Sequence, residues 1–305
     1  MIEYIFLNPF EKIPYNLLQP SKEIISFEYK LQQQVFNEQN NINPPKEISY
    51  EEWENNRINN KVYYYIAIED NKLLGCISFF ENSQECNSYY NIEPKNSLHV
   101  SQFYVDENYR NRKIGITLLL KVEKFAKTHS FKLLDLKTSY KNTIAQSLYF
   151  KFGFNINFIT VSKDVKDYIN NRTLTPLGII NISNTLNNYI NNSILSLSLI
   201  NNNGFSFNQI KDNIVKNINN GIYRIFKYDK DLYSIYRIFI KKSSLKLYDV
   251  LGNKEEKLFV CMCLTNNFCK NANLKKIEST ILLKDKELYE NSNFECKMLH
   301  MIKNI

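Results

Sequence analysis

The sequence predicts an α/β (α+β) fold, helices against a sheet, with a second, smaller α/β domain behind it. Three observations carry this. Through residues 1–165, amphipathic helical stretches alternate with β-branched and aromatic runs. Composition then shifts, with 16 asparagines among the 55 positions 166–220. Strand-like runs return after residue 221. The chain therefore divides into a first domain over 1–165, an Asn-rich connection over 166–220, and a C-terminal α/β domain over 221–305.

The elements follow in order. Pro20-Ser21 opens a helical stretch whose apolar positions include Ile24, Phe27, Leu31 and Val35. Residues 40–45 read as loop. Ser49 and Glu52 have the spacing of a capping box, so a helix starts there and carries Trp53, the only tryptophan. Residues 1–61 are thus expected to be helical and irregular. Residues 62–68 (VYYYIAI) and 72–80 (KLLGCISFF) read as a hairpin turning at Asp70-Asn71. Residues 98–105 form the next strand. From Ile114, apolar residues at 114, 118, 122, 125 and 126 mark one helix face. Residues 133–136 are a buried strand, and Ile144, Leu148 and Phe152 form a stripe on a short helix before a strand at 155–162. The C-terminal domain offers IYRIF, YSIYRIFI, LKLYDVL and KLFVCMCL as strands, then a helix-like piece ending in LYENSNFECKMLHM.

That ending echoes the first domain. Leu288-Tyr289 followed by Asn293-Phe294 has the spacing of Leu148-Tyr149 followed by Gly153-Phe154, and Lys275-Lys276-Ile277 corresponds to Lys132-Leu133-Leu134. Either the C-terminal half is a degenerate second copy, or short aromatic segments coincide by chance.

Composition narrows the function classes. The net charge of +8 comes from 39 Lys/Arg against 31 Asp/Glu. Residues 1–165 are balanced at 19 each, so the excess lies in the second half, at 20 against 12. The lysines there are scattered and frame no recognition motif, which argues against a nucleic-acid partner. Six cysteines in a chain this long make no disulfide scaffold and fit a reducing, cytoplasmic setting. The N-terminus is a poor signal peptide, and the run at 193–200 is too short to span a bilayer, so no membrane role is expected. Cys261, Cys263, Cys269, Cys296 and His300 lack a usual zinc spacing and are read as free thiols and an ordinary imidazole; no metal is expected.

The chemistry concentrates in residues 98–154. A strand runs through a basic loop ending at Gly115 into a helix N-terminus, where amides without intrahelical partners and the helix dipole favour an anion. Between residues 110 and 141 there are nine Lys/Arg and two Asp/Glu, a field that favours an anionic ligand. Arg110-Asn111-Arg112-Lys113-Ile114-Gly115 resembles the phosphate loop of the GNAT superfamily of acyl-CoA-dependent N-acyltransferases. Asn142, Ala145, Leu148-Tyr149 and Gly153-Phe154 resemble that family's later signature, at matching spacing. The likeness covers residues 60–160 strongly. It implies a mixed, mostly antiparallel central sheet flanked by helices, and acetyl-CoA as acyl donor. Lys113 departs from the pattern, standing where the family has its first glycine.

What the resemblance implies can be placed on this chain. The amides from Arg112 to Ile116 would face the pyrophosphate of acetyl-CoA, with Arg110, Asn111 and Lys113 beside it and Gly115 allowing close approach. The backbone of Phe103, Tyr104 and Val105 would pair with the pantetheine arm. Asn142 would contact that arm, or else simply cap its helix. Tyr149 would protonate the departing thiolate, or else be a core aromatic. The base is open: Ser101 and Gln102 stand where many relatives carry a carboxylate, and His99, Glu54, Glu81 or a water relay are alternatives. The expected function is N-acetyl transfer to a primary amine, small molecule or peptide, by direct attack in a ternary complex. A CoA-binding regulatory module without chemistry is the alternative, as is a protein acetyltransferase docking partners through its basic half.

Overall fold

A computed structural model describes residues 1–39, 45–81, 97–164 and 274–305, with strands at 175–177, 223–229, 232–241 and 244–251 and a few single positions between them. Two compact units emerge. The first comprises Met1–Gln84, Glu93–Asn155 and His300–Ile305; the second comprises Glu85–Ile92 and Ile156–Leu299.

The first unit is built on an antiparallel run of four strands: β1 (Glu3–Leu7), β2 (Tyr63–Glu69), β3 (Lys72–Glu81) and β4 (Ser97–Val105), in that order. Strand β1 was not expected among residues 1–61. Its sequence EYIFL is β-branched and aromatic, and it pairs from Glu3↔Ile68 to Leu7↔Tyr64. The β2–β3 hairpin turns at Asp70 and Asn71, whose φ values of 50° and 61° suit the right-handed twist of the strands. Strand β5 (Leu133–Ser139) then joins β4 in parallel.

Helices cover both faces. On one, α1 (Leu18–Gln39) and α2 (Tyr50–Asn59) bury Ile24, Ile25, Phe27 and Trp53 against Tyr64, Ile66, Leu73 and Cys76. Pro20 sits in the first turn of α1, where no intrahelical N–H is required. Ser49 caps α2 by accepting from the Glu52 amide at 3.1 Å. On the other face, α3 (Ile114–Thr128) buries Ile114, Leu118, Val122 and Ala126, and its Phe125 meets Tyr63 and Phe79 at centroid distances of 5.1 and 5.0 Å. Each buried Ile, Leu or Val side chain contributes roughly 1.5–3 kcal/mol.

Helix α4 (Thr143–Lys151) departs from its expected stripe: Ile144 is 74% exposed, while Tyr149 and Phe152 are buried. At about 100° per residue the nine-residue helix turns Tyr149 inward, toward Phe103 and Phe154. The unit is closed by the chain's last residues. Strand β12 (Glu295–Asn304) neighbours β5, and within the first unit the Ile305 amide donates to Lys132 O at 3.0 Å.

The second unit repeats this pairing. β7 (Thr175–Leu177), β8 (Tyr223–Asp229), β9 (Leu232–Lys241) and β10 (Ser244–Leu251) pair antiparallel in order, and β11 (Lys276–Leu282) joins β10 in parallel. These senses match those from β1 to β5. Its closing strand is β6 (Asn155–Asp164), which follows α4 in sequence but pairs with β11. Only Lys286–Glu290 (α5) of the expected last helix is helical; residues from Glu295 are strand. The residues 193–200 and 261–264, and most of the Asn-rich connection, lie outside the described residues. No helix among the described residues is long and apolar enough to cross a membrane.

Candidate functional site

The site begins where β4 and β5 part. Their register runs from Ser97↔Leu133 to Val100↔Leu136 and goes no further, although β4 continues to Val105 and β5 to Ser139. Beyond Val100, one edge of β4 thus leaves backbone groups unsatisfied by β5. A register shift against β3 falls at the same point, between Ser78 and Phe79, and the Ser78 hydroxyl accepts from the Gln102 amide at 3.0 Å.

Past the shift, β4 alternates between the two helical layers. Tyr104 packs on Phe27 of α1 with ring centroids 4.2 Å apart. Phe103 and Val105 point the other way, toward Gly115: a Cβ there would lie 3.2 Å from Phe103 Cζ, 3.5 Å from Leu148 Cδ2 and 3.7 Å from Val105 Cγ2. Strand, loop and both helices therefore converge on one glycine.

The loop is held tightly. The Asp106 amide donates to Leu74 O at 2.9 Å, and the Asp106 carboxylate accepts from the Asn108 amide at 2.9 Å. Arg110 Nε donates to Val105 O at 3.3 Å. Arg112 Nη2 lies 3.1 Å from both carboxylate oxygens of Glu69, and its hydrogen bond holds the Glu69 carboxyl below the usual range. Asn111 and Lys113 both adopt φ of 63°, the left-handed region. Lys113 is the N-cap of α3 without a side-chain cap, and the first intrahelical bond runs from Thr117 N to Lys113 O at 3.0 Å. The amides of Ile114, Gly115 and Ile116 consequently have no intrahelical acceptor. Of the loop's three cations, Lys113 is the exposed one not engaged with Glu69 or Val105.

Asn142 caps α4, accepting from the Ala145 amide at 3.1 Å. Tyr149 is 6% exposed, and burial pushes its phenol well above the usual range. The phenol stays protonated, the form an acid requires. Its ring lies 6.2 Å from that of Phe103.

Sequence reasoning missed two carboxylates. Glu28 of α1 accepts from Tyr64 OH at 2.7 Å, and burial pushes its carboxyl up to about 7 against the opposing hydrogen bond. It stands between Ile24 and Leu31 on the apolar stripe of α1, a misplaced charge that was readable. Asp135, in the apolar run LLDL, is 2% exposed and bonds His99 Nδ1 through Oδ2. Glu54 is instead committed to the buried Arg57, at 2.7 and 2.8 Å. Among the described residues no group of three metal-ligating side chains occurs; Cys261, Cys263 and Cys269 lie outside them, and Cys296 Sγ donates to Glu290 Oε1 at 3.4 Å.

Residues 28–154, which hold the open strand, the loop and the Tyr149 helix, match the model of the acetyltransferase (GNAT) family, and this stretch is a GNAT acetyltransferase domain. The fold resembles that of a GCN5-related N-acetyltransferase from Sphaerobacter thermophilus, at 10% identity and TM-score 0.52 over 99% of this chain and 95% of the other. A tandem GNAT protein from the clavulanic acid biosynthesis pathway aligns over 100% and 98% at 11% identity and TM-score 0.45. The PaiA N-acetyltransferase of Thermoplasma acidophilum, solved with coenzyme A, aligns over 51% and 91% at 20% identity and TM-score 0.35. No curated protein matches the chain.

Proposed function

We propose that the first unit transfers an acetyl group from acetyl-CoA to a primary amine, of a small molecule or a peptide, by direct attack in a ternary complex. The observation that carries this is the open edge of β4 beyond Val100, leading to the free amides of Ile114, Gly115 and Ile116. An acyl-CoA needs both: a strand edge for its amide-bearing arm and an anion cradle for its pyrophosphate. Phe103, Tyr104 and Val105 supply the edge, and Arg110, Asn111, Arg112 and Lys113 the cationic loop. Asn142 caps the helix that carries Tyr149 and contacts the pantetheine arm. Tyr149 donates its proton to the thiolate as the C–S bond breaks.

Calorimetry with acetyl-CoA tests the binding half, with binding expected and its absence fatal to the reading. Tyr149→Phe tests the chemistry. Turnover is expected to fall about 100-fold with CoA affinity nearly intact, and an equal loss of both would assign Tyr149 to packing.

A second reading, a CoA-binding module without chemistry, draws support from Lys113 in a left-handed position and from Ser101 and Gln102 in place of a carboxylate. Thiol release measured across a panel of amines separates the two.

A further inference from the structure

We propose that His99 is the general base of this site, held in its working orientation by Asp135. The inference rests on the acetyl-transfer reading above and names the proton acceptor it lacks.

The position comes from the register. His99 and Asp135 are direct partners in the parallel β4–β5 pairing, one step before its last pair, Val100↔Leu136. An acyl donor anchored at the amides of Ile114–Ile116 and running back along the open edge of β4 from Val105 reaches Ser101 after about 13 Å, four residues at strand spacing. His99 lies two residues further along the same strand. Its facing follows from its partners across β3. Phe79 packs on Phe125 of α3, so Phe80, and His99 opposite it, face the α1–α2 side, as Gln102 and Tyr104 do. An amine entering between that helical layer and the parting strands meets the imidazole.

The chemistry comes from the partner. Asp135 is buried and takes His99 Nδ1 as its hydrogen-bond partner through Oδ2, while its Oδ1 has no partner among the described residues. A buried carboxylate gains from each positive charge that develops beside it. Its bond fixes the neutral ring with the proton on Nδ1, which leaves Nε2 as the acceptor. The competing groups are engaged or unsuited. Glu54 is paired to Arg57, Glu28 receives the Tyr64 hydroxyl, Glu81 shares the α3 face with Phe79, away from His99, and Ser101 and Gln102 are not bases.

The step balances. The neutral amine attacks the thioester carbonyl and forms the N–C bond, and His99 Nε2 takes the proton that the nitrogen then sheds. The C–S bond breaks, and the thiolate takes the proton of Tyr149. Solvent returns a proton from the imidazolium to the phenolate, leaving amide and free thiol.

The test uses the full chain, acetyl-CoA, and spermidine, lysine and a peptide with a free N-terminus as acceptors. His99→Gln is expected to lower turnover about 100-fold or more with acetyl-CoA affinity unchanged by calorimetry, and imidazole is expected to restore part of the rate of His99→Ala. Asp135→Asn is expected to lower turnover about tenfold or more. Nitrogen-15 spectra of the wild-type imidazoles, assigned by through-bond correlation to the backbone of the wild-type protein, are expected to show the His99 ring with its proton on Nδ1 and none on Nε2. That readout stands even if the substituted proteins fail to fold. Wild-type turnover in His99→Gln, or a proton resident on Nε2, overturns the proposal. A wild-type protein that binds acetyl-CoA but acetylates none of the acceptors overturns the acetyl-transfer reading and the proposal with it.

Discussion

Lys303 donates to Glu123 Oε2 at 2.8 Å across 180 positions of sequence, and the same ammonium lies 3.9 Å from the centroid of the Phe152 ring. Burial would raise the Glu123 carboxyl, but hydrogen bonds from Lys127 and Lys303 outweigh it and hold the group below the usual range. The contact ties the final strand to α3 and to the end of α4, the two helices that frame the opening between β4 and β5. Removing residues 300–305 is therefore expected to destabilise the acetyltransferase unit, although those residues lie far from it in sequence. The measurement is acetyl-CoA binding by calorimetry with a parallel melting curve; unchanged binding would count against this tie. Lys303→Ala, which removes the ion pair and the ring contact but leaves the strand, is expected to cost about 1–3 kcal/mol.

Lys113 stands at φ of 63° where the resemblance calls for glycine. A side chain in the left-handed region costs about 1 kcal/mol, offset in part because glycine is freer in the unfolded chain. Lys113→Gly is expected to raise the melting temperature of the unit by roughly 1–3 °C. Acetyl-CoA affinity is expected to become less salt-dependent, since one exposed cation leaves the loop. Binding titrations at two ionic strengths check the second outcome.

Glu28 makes stability depend on pH. Its carboxyl titrates at about 7 in the folded protein and at 4.5 in the reference state. Between those values the folded protein keeps a proton that the unfolded chain has released, so stability falls as pH rises through the window and levels off above it. A shift of this size corresponds to on the order of 3 kcal/mol. Glu28→Gln is expected to be more stable than wild type at pH 8, with the difference vanishing near pH 4. Denaturant melts across pH 4–8 read this, and parallel curves for the two proteins would show that the carboxyl does not titrate there.

Much of the first unit was legible because its elements carry local signals. The Asp70-Asn71 turn, the Ser49 cap and the 114–126 stripe each depend on residues close in sequence. Residues 98–154 revealed a loop and a helix at fixed spacing, which is why the resemblance could be placed residue by residue. Strand β1 was missed because EYIFL is too short to show a period. The exchange of closing strands, β6 into the second unit and residues 300–305 into the first, left no trace, since either partner satisfies the same apolar pattern. Asp135 shows the same limit: its position in LLDL was visible, but its pairing with His99 depends on a parallel register that no local motif encodes.

The echo between the two halves has a shared backbone form. Phe154 N donates to Tyr149 O and Gly153 N to Phe150 O, each at 3.0 Å; Phe294 N donates to Tyr289 O and Asn293 N to Glu290 O, also each at 3.0 Å. Both are helix ends whose terminal carbonyls are satisfied by a turn through a left-handed residue. In both, tyrosine and phenylalanine meet edge to face, at 5.8 and 5.3 Å. The left-handed residues differ, Gly153 at φ of 94° and Asn293 at 62°. Asparagine reaches the second value at little cost, whereas any side chain at the first is strained. Asn293→Gly is accordingly expected to change stability by no more than about 1 kcal/mol, and Gly153→Ala to cost roughly 1–2 kcal/mol. Because Phe154 and Tyr149 share that turn, Gly153→Ala is also expected to lower turnover more than Asn293→Ala does. Equal losses in the two variants would mean that the turn after α4 does not position Tyr149.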